Sequence, residues 1–207
     1  MSYTVNNLPT EFRIRSQGWT MSGGIVFQRS EFTGADRAVR LGPGARWQCE
    51  IELVPTVSLT DLRIVRSVLA IQNSPLSVYR IPAVETAQAV SPVPATCTVN
   101  GANQTGLSLA VAGLPNNTAI LSAGHMISVA LPNNSEQLFV ITANATSNAS
   151  GQATFTLGTP LRQSPANGAT VRLHSPVSTM RLRPLVGWSV SPGLVYDFPA
   201  FTAEEVF

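Results

Sequence analysis

The sequence contains no lysine: all thirteen of its basic residues are arginine. Eleven acids leave a net charge of +2, and charged residues make up only 12% of the 207-residue chain, about half the usual share. Solubility is therefore not secured by charge, and part of the surface is suited to being covered by partners. An all-arginine basic set reads either as a compositional bias of the source genome or as an interface signature, since the planar, weakly hydrated guanidinium suits interfaces. Without lysine, and at +2, the chain lacks the basic patch that phosphate binding needs, so specific nucleic-acid binding is not expected. Cysteine is nearly as scarce. Cys49 and Cys97 stand 48 positions apart with no CxxC and no adjacent histidine, which argues against a zinc site or a disulfide scaffold.

Long hydrophobic runs are missing too, so no membrane span is expected. The opening "MSYTVNNLPTEF" has neither a basic n-region nor an apolar h-region, so no signal peptide is expected. Five N-x-S/T sequons, at Asn103, Asn116, Asn133, Asn144 and Asn148, then read as a by-product of an Asn/Ser/Thr-rich sequence rather than as glycan sites.

Catalytic signatures are absent as well. There is no P-loop, no GxGxxG after a strand, no HExxH and no nucleophile elbow. His125 and His174 sit at strand ends without an acid or a cysteine in company, and read as polar surface or interface residues. Glu50 and Glu52 form an i,i+2 carboxylate pair, about 7 Å apart along one strand face. Glycosidase pairs instead come from different strands around a cleft. No catalytic residue, cofactor or metal is expected, and the chain is not expected to be an enzyme. The pair reads as a charged strand face lining a pore or a subunit seam, or as a solvated sheet face.

What the sequence does have is a neutral middle. Between positions 84 and 179 only Glu85, Glu136, Arg162 and Arg172 are charged, while the flanks hold the other twenty charges. This shift predicts a module at 84–179 inserted into a discontinuous host domain, 1–83 plus 180–207. In the first flank "EFRIRS" and "GGIVFQRSEF" alternate like strands, setting Phe12 and Ile14, then Ile25 and Phe27, on one face. "RAVRLGPGARWQCEIELVP" suggests a hairpin about Gly42-Pro43-Gly44. Its second arm puts Trp47, Cys49, Ile51 and Leu53 on one face, with Arg46, Gln48, Glu50 and Glu52 on the other. The one helix pattern is "SLTDLRIVRSVLAIQN", with Ser58 as N-cap, Asp61 at N3, an apolar stripe of Leu62, Val65, Val68 and Leu69, and a stop at Asn73 and Pro75. "PLSVYRIP" predicts a short strand.

After the Pro-rich connector "AQAVSPVPA", five or six short β runs separated by Asn/Gly/Pro turns carry the middle: "ATCTVNG", "GLSLAVAG", "HMISVAL", "EQLFVITANAT", "GQATFTLGTPL" and "GATVRLHSP". They predict a small OB-like β-barrel with a core of Leu109, Ile127, Val129, Phe139, Ile141, Phe155, Leu157 and Val171. "STMRLRP" and "GWSVSPGLVYDFPAFTAEE" return as strands that complete the flank sheet. The i,i+2 arginine pairs Arg13/Arg15 and Arg181/Arg183 are interface candidates. The expected fold is mainly β: a sandwich or barrel domain with one α-helix, plus the inserted barrel.

This layout resembles the distal tail (Dit) proteins of long-tailed bacteriophages, the compact kind from phages of Gram-negative hosts. The features that match are "GPGARWQCEIELVP" followed by the helix and "SVYRIP", the insert from "LSAGHMISVAL" to "GATVRL", and the closing "MRLRP…GWSVSPGLVYDFPAFTAEE". The resemblance implies a homo-hexameric ring in the virion tail tip, assembled in the host cytoplasm. Such a ring joins the tail tube protein to the hub or baseplate protein around a lumen open to DNA, with Glu50 and Glu52 at the lumen or the subunit seam. It supplies no catalytic residues. The alternative is a carbohydrate-binding β module that attaches a virion or surface assembly to host glycan. The barrel's two aromatic residues, Phe139 and Phe155, give that use little to stack on.

Overall fold

The computed structural model describes residues 4–23, 25–40, 46–71, 77–83, 88, 93–183 and 188–206. Outside these fall the Gly42-Pro43-Gly44 turn, the Asn73 and Pro75 stop, Glu85 and most of the Pro-rich connector. The side chains of Ile25 and Leu69 are likewise not described. Among the described residues the molecule is mainly β with a single helix and two hydrophobic cores.

The flank sheet has six strands in the spatial order Thr4–Asn7, Ser77–Pro82, Val177–Leu182, Phe201–Glu205, Arg46–Leu53 and Ile14–Ser22. The alternation around Trp47 is as the sequence predicts. Trp47, Cys49, Ile51 and Leu53 are buried, while Arg46, Gln48 and Glu50 are exposed and Glu52 is half-buried. Period-two burial over eight residues fixes this strand's phase, because a slip of one would turn all four apolar side chains outward. Phe12, Tyr79, Ile81, Met180, Leu182, Phe201 and Ala203 complete the core beneath the sheet.

Helix Leu59–Ile71 lies over this core through Leu62, Val65 and Val68. Its start follows the expected capping: the Asp61 amide donates to Ser58 Oγ at 3.2 Å, and the Asp61 carboxylate sits in the first turn, facing the positive end of the dipole. Two strand expectations need correction. Ser189–Ser191 and Val195–Asp197, expected to complete the flank sheet, pair with each other instead. Asp36–Arg40 pairs with Ile25–Arg29, and Arg46–Leu53 pairs with Ile14–Ser22 and Phe201–Glu205, so the two runs around Gly42-Pro43-Gly44 are not partners. The turn that closes the first hairpin is Ser30–Ala35. Gly34 takes φ +65° there, and the Ser30 amide donates to the Ala35 carbonyl at 3.0 Å. Thr4–Asn7, which pairs in parallel with Ser77–Pro82, was not apparent from sequence.

The middle piece forms a six-stranded barrel in the order Glu136–Val140, Met126–Ala130, Thr170–Arg172, Thr96–Val99, Gly106–Ala112 and Gln152–Leu161. An Ile141–Leu157 bridge, with the Thr142 amide donating to the Thr156 carbonyl at 2.9 Å, brings the first strand back to the last. All eight expected core residues lie in its single apolar cluster. Turn chemistry explains Asn148 and Asn133, while Asn144 bonds to an amide 21 positions away. Asn148 Oδ1 accepts from the Ser150 and Gln152 amides, Asn144 Oδ1 from the Ala123 amide and Asn133 Oδ1 from the Ser135 amide. Gly151, in the turn that Asn148 caps, has φ +67°, and a Cβ there would stand 2.3 Å from the Leu114 carbonyl oxygen. Val177–Leu182 pairs along Ser77–Pro82, so Val177, Ser178 and Thr179, assigned from sequence to the 84–179 module, belong to the flank sheet.

Candidate functional site

The charged candidates divide between two places. On the outer face of the flank sheet, Glu50 and Glu52 border a shallow cleft of about 370 Å³ with Ser16, Gln17, Gly18 and Ala200. Ser16 Oγ donates to Glu52 Oε2 at 2.9 Å. On the same face, two strands away, Arg181 lies opposite Glu204 in register. Glu204 makes ion pairs with Arg183 and, at 3.8 Å, with Arg46. The sheet therefore brings Glu50, Glu52, Arg181 and Arg183 onto one polar face. Arg13 and Arg15 lie elsewhere: Arg13 is 3.9 Å from Asp61 at the start of the helix, and Arg15 is exposed at the register shift between Ile14 and Ser16.

Sequence reasoning missed the junction between sheet and barrel, where three of the four charges of the neutral middle are placed. Glu136, on a barrel strand, is buried. Its carboxylate accepts from Arg172 Nε at 2.8 Å and Arg172 Nη2 at 3.1 Å, and from Ser128 Oγ at 3.1 Å. It also lies 3.1 Å from Arg80 Nε of the flank sheet, and its amide donates to Thr179 Oγ1 at 2.8 Å. Two residues along, Leu138 spans the same junction: its carbonyl accepts from Trp47 Nε1 at 3.0 Å and its amide donates to Glu205 Oε1 at 3.3 Å.

Glu205 is the most enclosed charge at this junction. Its carboxylate pairs with Arg162 Nη1 at 2.5 Å, the two side chains being 1% and 3% exposed, and accepts from the Trp47 amide at 3.2 Å. Burial pushes the Glu205 carboxyl above its ordinary value. The Arg162 charge and hydrogen bond pull it back part of the way, helped by the Trp47 and Leu138 amides. The signal available in the sequence was that Glu136, Arg162 and Arg172 were isolated charges in an otherwise neutral stretch. Gln88 ties the connector to the same barrel, accepting from the Met126 amide at 2.8 Å and donating to the Leu173 carbonyl at 3.0 Å.

Both histidines hold local structure. His125 Nδ1 accepts from the Ser122 amide at 3.0 Å, and His174 Nε2 lies 3.0 Å from the Val93 carbonyl oxygen. Both thiols are free and buried, each pushed up to about 12 by burial. Among the described residues no group of three or more His, Cys, Asp or Glu is placed to hold a metal ion, and no helix is long and apolar enough to cross a membrane. Phe139 and Phe155, the barrel's two aromatic residues, are fully buried.

No family model matches this chain, and no curated protein matches it.

Proposed function

We propose that this chain is a structural subunit of a phage tail tip: a Dit-like adaptor that closes into a hexameric ring between the tail tube and the hub or baseplate, around a lumen through which DNA passes. The observation that carries the reading is the open flank sheet. Among the described residues, Ile14–Ser22 is paired along one side only, with Arg46–Leu53, and Thr4–Asn7 along one side only, with Ser77–Pro82. A nine-residue unpaired edge is a liability on a monomer and a resource for a subunit, and contacts between different surfaces that close on themselves make a ring. The chain is assigned no catalytic role and no cofactor.

A lumen for DNA should be acidic or neutral, because each phosphate contact adds affinity that would hold the polymer in transit. Glu50 and Glu52 share their face with Arg46, Arg181 and Arg183. That mixture favours the subunit seam over the lumen for this face, with the acidic strip of one copy available to the arginines of a neighbour. The glycan-binding alternative draws on a polar groove of about 300 Å³ lined by Asn100, Thr146, Asn148, Gln152 and Thr154. With both barrel aromatics in the core, that groove has no ring for a sugar to stack on.

Native mass spectrometry tests the adaptor reading, with an expected mass of six times the 22.0 kDa chain, together with low-resolution imaging for an axial hole. A species that stays monomeric at every concentration, alone and with tail proteins, would overturn it.

A further inference from the structure

The hairpin Ile25–Arg29/Asp36–Arg40 pairs only with itself among the described strands, and every side chain described in it is exposed. Phe27 is 76% exposed and Phe32, in its turn, 99%. A two-stranded hairpin alone in water is marginally stable at best, so an arm of this composition is suited to lie against another surface. It leaves the body where Ser22 pairs with Arg46.

A second group of exposed apolar residues lies at the other end of the same two strands, where Ile14 pairs with Leu53. The Thr56–Tyr196 bridge sets the segment holding Val54, Val57 and Leu59 beside the hairpin Ser189–Ser191/Val195–Asp197, whose turn presents Leu194. Val57 is 69% exposed and Leu194 65%. Arg66 of the helix stacks 4.1 Å from the ring centre of Trp188 and holds the hairpin's base.

The eight residues of Arg46–Leu53 separate the arm's root from this patch by about 25 Å, and Phe27 and Phe32 of the arm and Val57 and Leu194 of the patch all stand exposed. The arm therefore does not cover its own patch. We propose that the arm docks on the Val57/Leu194 patch of a second copy of this chain, a head-to-tail contact.

Area supports a partner of this kind. A stable interface uses about 20–30 residues a side, and the sixteen residues from Ile25 to Arg40, joined by half-buried Trp19 and exposed Met21 at the arm's root, approach that number. Two different surfaces at opposite ends of one sheet give a heterologous contact, which propagates until it closes. The inference names the contact of the proposed ring and rests on that reading for closure at six copies, though not for the contact itself.

Two full-length variants test it by light scattering: an arm variant, F27D/F32D, and a patch variant, V57D/L194D. All four side chains are exposed, and aspartate tolerates the left-handed backbone of Leu194, φ 60°, so both variants should keep the wild-type melting temperature. Wild type should assemble, each variant alone should be monomeric, and an equimolar mixture should give a heterodimer and nothing larger, because one intact arm meets one intact patch. Variants that assemble like wild type would overturn the contact while leaving a ring intact. A patch variant that dimerises alone would show exchange between arms and overturn it. A mixture that stays monomeric, or a wild type that never assembles, would overturn it too. Closure at a number other than six, with the heterodimer present, would keep the contact and overturn the hexamer.

Discussion

Removing Arg162 should be among the most damaging single changes available to this chain. The Arg162→Met variant keeps much of the side-chain volume but strips Glu205 of its counter-charge. It leaves a 1%-exposed carboxylate with two amide donors, Trp47 and Leu138. Breaking a buried pair by deleting one partner costs about 3–5 kcal/mol, because the remaining charge stays buried and uncompensated. The loss has a pH signature. Burial already raises the Glu205 carboxyl, and the variant loses the largest influence opposing it. In the variant, between the unfolded value near 4.5 and the higher folded value, the folded state binds more protons than the unfolded state. Stability therefore falls as pH rises through that window and recovers as pH falls toward 4.5. Relative to wild type, the deficit should be largest at neutral pH and shrink on acidification. Urea unfolding followed by tryptophan fluorescence is a direct assay, since the Trp47 indole bonds to Leu138 at this junction. In the Arg162→Met/Glu205→Gln double variant the single glutamine oxygen can accept from only one of the two amides, which reach different carboxylate oxygens, but no charge is buried, so its loss should still be below the sum of the single losses. Additive losses, a deficit under about 1 kcal/mol, or one independent of pH would refute the reasoning.

Trp47→Ala should cost on the order of 3–5 kcal/mol, since the ring is buried, packs edge-on to Trp19 at 6.2 Å and donates to Leu138. Gln48→Ala, on the exposed face, should stay within roughly 0.5 kcal/mol, and equal losses in denaturant titrations would show the strand phase to be wrong. Gly151→Ala should lower the barrel's melting temperature, because the new Cβ meets the Leu114 carbonyl at 2.3 Å and the backbone sits at positive φ; an unchanged transition in calorimetry would contradict this. Cys49 and Cys97, each held near 12, should resist thiol reagents at pH 8 and react only on unfolding, and rapid labelling of the native protein would show that the cores open.

The parts that were legible in the sequence are those where a local rule and the tertiary fold agree. Trp47 to Leu53 could be phased because one face is core and the other is not, and the helix could be started at Ser58 because the cap is a contact within four residues. The barrel strands stood out through their turns, where Asn133 and Asn148 bond to amides two to four positions away. What could not be read was partner choice. Gly42-Pro43-Gly44 has the composition of a hairpin turn, but Asp36–Arg40 instead folds back on Ile25–Arg29 through Ser30–Ala35. Thr4–Asn7 is too short to show a period. The burial of Glu136, Arg162 and Glu205 depends on residues far apart in the chain that only the fold brings together.

Those junction charges change how the neutral barrel is best understood. Had they served solubility, Glu136, Arg162 and Arg172 would be spread over its outside. Instead all three lie where barrel meets sheet, and the strand Glu136–Val140 supplies successive anchors. Glu136 reaches Arg80 and Thr179, Leu138 holds Trp47 and Glu205, and Arg162, just past the strand Gln152–Leu161, adds its pair with Glu205. Contacts from two separate barrel segments, Glu136–Leu138 and Arg162, restrain the barrel's rotation as well as its position, which a single flexible linker could not do. Because the Arg162–Glu205 pair is buried, salt screens it far less than it screens the exposed pairs of the outer sheet face. The junction is therefore built to hold the barrel at one angle to the sheet under conditions in which charge contacts across the outer face would weaken.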